Sequence, residues 1–220
     1  CCEIALRPFQ FCNLTEVNVS NITSQEELNN RVKAAAFIGT LQASYTDFHY
    51  LRDIWRETTE KDPLIGVSMT GIGSNKLENL DLHEASNIVG DTNQKIADLL
   101  GINHAARTTC VKPAGTTSLV AGTSSGIHAY IRRIRVGKNE AIYNYLVQNH
   151  PEMLEDDFFN KNTQAVISVP QKAPKGAILR TESPIDLLNR VKNVSQNWVK
   201  TGHYSGQNTH NVSATISIKK

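Results

Sequence analysis

The sequence predicts an α/β fold built on a mainly parallel sheet or barrel. Short runs rich in β-branched residues alternate with segments of helical hydrophobic spacing, each segment roughly 12–20 residues long. Capping signals mark where several of the helical segments begin and end. The chain has 220 residues and shows no internal repeat, low-complexity tract or linker. It is therefore predicted to be one domain, or one piece of one, with a hydrophobic core of its own.

Five helices are predicted, and three of them have clear caps. Ser24 begins the first helix with a Ser-x-x-Glu capping box. Asp81 caps the start of the third helix, and Gly101 is a natural end for it. Pro184 takes the first helical position of the fifth helix, directly after Ser183. In chain order, the first predicted helix begins at Ser24 and has helical apolar spacing through Ala36, and the others are 46–59, 81–101, 139–149 and 183–202.

Five strands are predicted from short β-rich runs between the helices. The last of them alternates Val212, Ala214, Ile216 and Ile218 with polar residues, as a half-buried strand does. The stretch before residue 12 is predicted to be a loop, because Pro8 interrupts it. In chain order, the predicted strands are 64–69, 108–111, 131–136, 165–169 and 212–218.

Composition excludes several classes of protein. Hydrophobic content of 40% and charged content of 20% are ordinary for a soluble globular protein. A net charge of +2 gives no reason to expect a nucleic-acid or membrane-surface partner. No apolar run approaches the roughly 20 residues needed to span a bilayer. The four cysteines are too few for a disulfide scaffold and fit a reducing cytoplasm. No cluster of residues has metal-ligand spacing, and so no metal site is predicted.

The opening of the chain is the first segment with catalytic chemistry. Cys1 and Glu3 lie two residues apart, and Cys12 follows eleven positions after Cys1. A thiol can serve redox or radical chemistry while a nearby carboxylate acts as a base on the same small substrate. The alternative is a set of small, part-buried cysteines with a structural role. Taken alone, the Cys-x-Glu pattern does not decide between the two.

The second such segment is VKPAGTTS, from Val111 to Ser118. A β run ends at Pro113, and a glycine and three hydroxyl residues follow. Backbone N–H groups and hydroxyls at a predicted helix N-terminus suit a phosphate. The alternative is an ordinary capped turn. The Gly-Lys-Ser/Thr ending of a P-loop is missing, and so nucleotide hydrolysis is not predicted.

Two further polar segments follow. Residues 121–128 contain two glycines and three hydroxyl residues, and they are predicted to be a flexible loop ending at His128. That histidine could act in acid–base chemistry or touch a ligand. Residues 206–213 place His210 and Asn211 where a loop meets the last predicted strand. For each segment the alternative is structural: a histidine that supports the fold, or a polar loop that caps a strand.

Together, these segments resemble the catalytic subunit of ribonucleotide reductase. The likeness is closest to the adenosylcobalamin-dependent class, especially its monomeric ribonucleoside-triphosphate reductases and their phage relatives. It spans nearly all of the chain in the right order, which is far more specific than any one motif. The resemblance implies a ten-stranded α/β barrel with a central finger loop. Residues 1–220 would be the C-terminal portion of that barrel, with the finger loop at 1–12. The stretches that carry the likeness are 1–6 (CCEIAL), 11–14 (FCNL), 64–71, 112–128, 131–136 and 210–215 (HNVSAT).

The resemblance also implies roles for single residues. The family's fingertip motif is Asn-Pro-Cys-x-Glu, and its last three positions match residues 1–3. Cys1 would therefore be the thiyl-radical cysteine and Glu3 the general base. Cys12 would be one of two reducing thiols, at the spacing found in the cobalamin class. The residues expected to hold the substrate phosphates are Gly115, Thr116, Thr117 and Ser118. The candidate contacts to the cofactor or substrate are Ser125, Gly126 and His128.

The implied reaction reduces a ribonucleoside triphosphate to a deoxyribonucleotide for DNA synthesis. Homolysis of the cobalt–carbon bond of adenosylcobalamin generates the Cys1 radical, which removes the 3′ hydrogen while Glu3 takes the 3′-hydroxyl proton. The 2′-hydroxyl leaves as water, Cys12 and a second thiol become a disulfide, and Cys1 returns the hydrogen. The implied partners are the ribonucleotide, an N-terminal half of the same reductase and a thioredoxin-like reductant.

Several elements of the family are missing from the sequence. They are the Asn and Pro before Cys1, the upstream partner of Cys12, the upstream specificity loops and the C-terminal cysteine pair; Cys110 lies on a different segment from that partner. The position of Cys1 suggests a downstream extein of an intein-interrupted gene, or a split-gene fragment, which is expected to be inactive alone. The alternatives are an iron-dependent reductase fragment and a non-catalytic half that complements the N-terminal one.

Overall fold

The computed structural model describes residues 3–216, and residues 1–2 and 217–220 lie outside this range. Within it, helices and short strands alternate. The helices are α1 (Gln25–Ala43), α2 (Asp53–Lys61), α3 (Leu82–Leu100), α4 (Thr117–Val120), α5 (Ala141–Asn149) and α6 (Pro184–Val194). The strands are β1 (Cys12–Asn18), β2 (Leu64–Thr70), β3 (Arg132–Gly137), β4 (Leu154–Asp156) and β5 (Gln164–Val169). Short 3₁₀ helices cover Ile72–Ser74 and Pro151–Met153, and a π-helix covers Ser195–Val199.

The parallel sheet begins with β1 and β2, which pair from Cys12↔Leu64 to Asn18↔Thr70. Two further segments extend it in the same direction, through the isolated bridges Val67↔Thr109 and Val111↔Val212. The strand predicted at 64–69 is therefore confirmed. Those predicted at 108–111 and 212–218 are reduced to these bridges, and residues 217–218 lie outside the described range.

The two reduced strands have a common physical cause, which is that their backbone groups bond elsewhere. The Thr108 N–H donates to Gly202 O at 2.9 Å, and the Lys112 N–H donates to the Ser68 hydroxyl at 2.9 Å. The Thr215 N–H donates to a ring nitrogen of His128 at 2.8 Å. Each bond takes a backbone donor away from a regular ladder, and so only single bridges remain.

β1 is a strand that the sequence analysis did not predict. Its side facing the helices carries Thr15, whose methyl lies 3.5 Å from where a Cβ of Gly39 on α1 would stand. Its other side carries Cys12, Leu14 and Glu16, and we call this side of the parallel sheet the site face. Both sides mix polar and apolar residues, so the alternation that predicts a strand is hidden.

The second sheet corrects the expectation of a mainly parallel fold. The strands predicted at 131–136 and 165–169 exist as β3 and β5, but they pair antiparallel, with β4 on the far side of β5. β4 was not predicted. One face of this sheet carries charged residues, as the exposed face of an antiparallel sheet does. The fold is thus mixed α/β, and the residues described form no closed barrel.

The helices confirm most of the capping signals. The Ser24 hydroxyl accepts from the Glu27 N–H at 3.2 Å, while the Glu27 carboxylate turns to Thr23 and leaves the box half formed. Gly101 ends α3 in the left-handed region with φ of 69°. α1 and α3 pack against each other, and α1 lies over β1 and β2. Within the described range, no helix is long and apolar enough to cross a membrane.

Two helices differ from their predictions. α2 begins at Asp53 rather than near residue 46, because the preceding residues form turns, such as the bond from the Leu51 N–H to Phe48 O at 3.0 Å. α6 has the full capping box of Ser183 and Asp186, and then widens into the π-helix. That helix buries Trp198 completely, and its ring N–H donates to the Cys110 carbonyl at 3.0 Å.

Candidate functional site

The finger segment, residues 3–11, lies across the beginning of the parallel strands. Its backbone is tied to the last segment of the sheet, since the Asn211 N–H donates to Glu3 O at 2.8 Å. Gly66 of β2 makes room for it: a Cβ there would stand 3.0 Å from the tip of Ile4 and 2.6 Å from that of Leu14. Cys1, the predicted radical cysteine, lies outside the described residues.

Glu3 and Cys12 are brought together at this end of the site face. Glu3 is 6% exposed, and its Oε2 atom has no hydrogen-bond partner among the described residues. Burial raises the pKa of the Cys12 thiol to about 12, a rise opposed by the charge of Arg107 and reinforced by those of Asp62 and Glu3. The Cys12 thiol is therefore protonated at neutral pH.

Cys110 is a second free thiol, but the sheet keeps it away from Cys12. Cys12 pairs with Leu64 on β2, whereas the bridge of Thr109 to Val67 places Cys110 beside the following residue of β2. The Cα atoms of the two cysteines are thus two strands apart and also offset along the strands, a separation of at least about 9.6 Å, which exceeds the Cα separation that a disulfide spans. Cys110 is fully buried, and burial raises the pKa of its thiol well above its usual value.

A buried ion pair beneath the finger segment escaped the sequence analysis. Arg107 and Asp62 join at 3.1 Å, with side chains only 4% and 10% exposed. The Asp62 carbonyl also accepts from the Gln10 amide at 2.9 Å, and Arg107 donates to Asn208 O at 2.8 Å. The pair therefore connects the finger segment to the chain just before residue 210.

The predicted phosphate loop lies at the other end of the site face. Gly115, Thr116 and Thr117 are exposed, and Ser118 is buried. The helix predicted to follow is α4, a single turn of four residues. The Thr117 hydroxyl bonds to the carboxylate of Glu16, which stands four residues beyond Cys12 on β1. The loop and the Glu3–Cys12 end are therefore roughly 13 Å apart along one strand.

Arg132 lies behind this loop and was not predicted as a site residue. It is 5% exposed and donates to Gly115 O at 3.2 Å, to the Ser118 hydroxyl at 3.1 Å and to Thr123 O at 2.9 Å. Burial lowers the pKa of its guanidinium. No carboxylate among the described residues forms an ion pair with it. The only sequence signal was its place in the Arg-Arg-x-Arg run at the start of β3.

The loop at 121–128 is packed rather than flexible, which corrects the prediction. Thr123, Ser124 and Ile127 are fully buried. The Gly71 N–H donates to Ser124 O at 3.0 Å, and the Ile72 N–H donates to Gly126 O at 3.2 Å. Backbone bonds to the end of β2 thus hold the loop in one conformation.

The three residues predicted to contact a cofactor or substrate are used within the chain. The Ser125 hydroxyl donates to Pro113 O at 2.6 Å, and the Gly126 N–H donates to the Thr70 hydroxyl at 3.2 Å. One ring nitrogen of His128 meets Ser125 O at 3.1 Å, and the other accepts from Thr215 N. Because these bonds occupy their polar groups, Ser125, Gly126 and His128 are not free to bind a cofactor in this conformation. Their contact with a ligand stays a prediction.

Several known proteins are similar to this chain in sequence. No family model matches the chain. It is 28% identical to the "Probable adenosylcobalamin-dependent ribonucleoside-triphosphate reductase" of Dictyostelium discoideum, over 87% of this chain and 26% of that protein. It is also 28% identical to the adenosylcobalamin-dependent ribonucleoside-triphosphate reductases of Euglena gracilis and Lactobacillus leichmannii, over 67% and 76% of this chain and 21% and 27% of theirs. The chain thus spans about a quarter of the length of these curated relatives.

The fold resembles a solved structure as well. The crystal structure of a B12-dependent (class II) ribonucleotide reductase superposes with a TM-score of 0.65 and 24% identity. The match covers 98% of this chain and 34% of that one. The resemblance inferred from the sequence is therefore confirmed, both in sequence and in fold.

Proposed function

We propose that this chain is the C-terminal part of the catalytic barrel of an adenosylcobalamin-dependent ribonucleotide reductase, and that it reduces ribonucleoside triphosphates to deoxyribonucleotides. The names of its relatives support this activity. The observation that carries it is the buried carboxylate of Glu3, with one oxygen unpartnered among the described residues and the protonated thiol of Cys12 nearby. A base and a hydrogen donor in one dry site are what the reaction requires.

The proposed chemistry assigns one task to each residue. A sulfur radical on Cys1 removes the 3′ hydrogen of the ribonucleotide, and Glu3 takes the proton of the 3′-hydroxyl. The 2′-hydroxyl leaves as water with a proton from one thiol, C2′ receives the hydrogen of the second thiol, and Glu3 returns its proton to the 3′ oxygen. Cys12 and a second thiol lose two electrons and form a disulfide, while the substrate gains those two electrons. Cys1 then returns the 3′ hydrogen, and a thioredoxin-like dithiol restores the reduced thiols.

The state of Cys12 supports its role as a hydrogen donor. A buried thiol with a pKa of about 12 keeps its proton at neutral pH, whereas a thiolate has none to give. The sheet register separates Cys110 from Cys12, and so we assign the second thiol to an upstream half of the reductase. Adenosylcobalamin, when bound, supplies the radical that starts the reaction. The roles proposed for Glu3 and Cys12 do not require either residue to contact the cofactor.

The loop of Gly115, Thr116, Thr117 and Ser118 is proposed to hold the substrate phosphates. A Cβ on Gly115 would meet no atom within 4 Å, so the chain's own packing leaves room beside this backbone. Arg132 adds a buried positive charge with no carboxylate partner among the described residues. An anion at the loop would offset that charge. The same strand, β1, links the loop to Cys12, and one nucleotide can reach both ends.

An upstream half is also the proposed partner of the exposed apolar surface near the finger. Phe9 and Phe11 are more than one-third exposed; Phe11 stacks on Trp55 of α2, and Phe9 meets the same ring edge-to-face. Among the described residues, β1 pairs only with β2, which leaves its outer edge free. A free strand edge beside an apolar patch is a typical site for further sheet to add.

The test combines this chain with its upstream half, adenosylcobalamin, a ribonucleoside triphosphate and a dithiol, and measures deoxynucleotide formation. Glu3→Gln should lower kcat by about 10²–10⁴-fold, because it removes the base and keeps the shape. Glu26→Gln, on the exposed first turn of α1, is the matched control and should keep the full rate.

Three results would change the proposal. Full activity of both Glu3→Gln and Cys1→Ser would show that the chain only complements the other half. Product that survives Cys1→Ser alone would overturn the radical mechanism. Product formed with an iron-radical subunit but not with adenosylcobalamin would favour the iron-dependent class.

A further inference from the structure

His210 is a buried imidazole that the proposed chemistry does not use. It is 2% exposed and lies between the finger segment and β2. Its Nδ1 atom accepts from the Ala5 N–H at 3.4 Å, and its Nε2 atom meets the Ile65 carbonyl at 3.1 Å. Because Nδ1 accepts, the ring proton must be on Nε2, which then donates to Ile65. Both nitrogens are therefore bonded to backbone, on two different segments.

The neighbouring residue extends this connection. Asn211 donates its N–H to Glu3 O, so two consecutive residues hold two alternate residues of the finger segment, Glu3 and Ala5. The Oε2 atom of the Glu3 carboxylate has no partner among the described residues. The backbone anchors on either side of Ile4 therefore do much to set where the carboxylate stands.

We propose that His210 is a positioning residue for Glu3, joining the finger backbone at Ala5 to β2 at Ile65 through its neutral Nε2–H imidazole. The inference rests on the proposed function for the task of Glu3. The connection itself rests on geometry alone. His210 touches neither Cys12 nor the phosphate loop through a hydrogen bond in this structure, and it acts through the finger backbone.

The chemistry of the ring suits the task. An apolar side chain of the same size would leave one buried N–H and one buried carbonyl without this partner, which is unfavourable. A protonated ring would point Nδ1–H at the Ala5 N–H, and the two donors would repel. Burial lowers the pKa of His210 to about 4, with Arg107 and His203 lowering it further and Asp62 and the Ile65 carbonyl opposing them. The ring is thus neutral at pH 7.

Three variants separate the two bonds. His210→Phe removes both, His210→Gln can keep only a donor toward Ile65, and His210→Asn can keep an acceptor toward Ala5. Hydrogen exchange at the Ala5 amide should rise about tenfold in His210→Phe and His210→Gln, the loss of roughly one hydrogen bond. In His210→Asn it should stay within about threefold of the parent. In the assembled reductase, kcat should follow the same order, while KM for the nucleotide changes little.

His203→Asn is the matched control, because among the described residues the His203 ring bonds only to the nearby Gly206 O, at 2.9 Å. It should leave exchange at Ala5 unchanged. Nitrogen-15 NMR of the ring should show the Nε2–H tautomer at pH 7. The opposite tautomer, or a His210→Phe variant whose Ala5 amide exchanges like that of the control, would overturn the proposal. If the parent reductase made no deoxynucleotide, the proposed function would fail, while exchange and tautomer would still decide the connection.

Discussion

Two ion pairs, one at the parallel sheet and one in the antiparallel sheet, differ in how far they are removed from water. In the parallel sheet, Arg107 and Asp62 form an ion pair whose side chains are 4% and 10% exposed. In the antiparallel sheet, the pair of Arg133 and Glu155 is 38% and 51% exposed. A buried charge that loses its partner keeps the full cost of having left water, whereas an exposed charge is simply solvated again.

The candidate site lies beside the buried ion pair, at the parallel sheet, whereas the antiparallel sheet has no predicted catalytic residue. Around the finger segment, several buried side chains join distant parts of the chain, as Gln10 does with Asp62 and His210 with Ile65. Under the proposed function, such groups fix the positions of the buried Glu3 carboxylate and the buried Cys12 thiol. In the antiparallel sheet, the pair of Arg133 and Glu155 lies at the surface, whereas Arg135 bonds to the buried carboxylate of Asp157 at 2.7 Å.

The largest effect should come from breaking the buried pair. Arg107→Met leaves Asp62 buried without its partner and should lower the free energy of unfolding by about 3–5 kcal/mol. The matched substitution Arg133→Met in β3 should lower it by only about 0–1 kcal/mol. Urea unfolding, followed through the fluorescence of buried Trp198, measures both.

Equal losses from the two substitutions would contradict the contrast between the sheets. A second variant tests whether the loss of stability comes from the unpaired charge of Asp62 or from poor packing of the introduced Met side chain. Arg107→Met combined with Asp62→Leu removes both charges and should recover part of the loss, since an apolar pair leaves no stranded charge. If the double variant were less stable than the single one, the buried charge would not be the cause.

The same contrast explains what the sequence could predict. Ser24, Asp81 and Ser183 cap their helices as predicted, because capping depends on residues three positions apart. The partners in the site are distant in sequence: Arg107 and Asp62 are 45 positions apart, and His210 and Ile65 are 145 positions apart. Local patterns carry no signal for such pairs.

Strand pairing was missed for a related reason. The runs at β3 and β5 predict strands correctly, but nothing in either run says which neighbour it meets or in which direction. The parallel strands near Thr109 and Val212 bond to side chains and loops rather than to a full ladder. The resemblance to a reductase family, carried by ordered motifs, is what made Glu3 and Cys12 candidate site residues, since hydrophobic pattern alone predicted only a loop there.

The second effect is a dependence of stability on pH that comes from the parallel sheet. The folded protein lowers the pKa of His210 to about 4, so above pH 6.5 both folded and unfolded states hold it neutral. Between pH 6.5 and 4 only the unfolded state takes up the proton, and stability falls as pH falls. The shift corresponds to about 3 kcal/mol, lost across that window. Unfolding free energies at pH 7 and pH 4.5 measure it.

The control for this effect is His210→Phe, which has no proton to take up. Its unfolding free energy should be lower at pH 7 but should change less between pH 7 and 4.5 than that of the parent. Two carboxylates of the antiparallel sheet lose their contributions to stability below this window. Asp156 and Asp157 have lowered pKa values, and so their contributions are lost only in more acid solution. A parent and variant with parallel pH profiles would remove His210 as the source.

The smallest effect should come from Lys138, which bonds to the exposed carboxylate of Asp156 at 2.7 Å. That bond and the Lys138 charge hold the pKa of Asp156 below its usual value.

Lys138→Met should therefore raise the Asp156 pKa in an NMR titration, and 1 M salt should raise it in the parent, because exposed pairs are screened. The lowered pKa means that this pair adds stability above the ordinary pKa of aspartate and loses it as pH falls through the folded value. At pH 7 this contribution is present but small, because solvent largely replaces the lost partner of an exposed group. Urea unfolding should therefore not distinguish Lys138→Met from the parent, whereas it readily detects Arg107→Met. A destabilisation comparable to that of the buried pair would mean that the antiparallel sheet also depends on its charges.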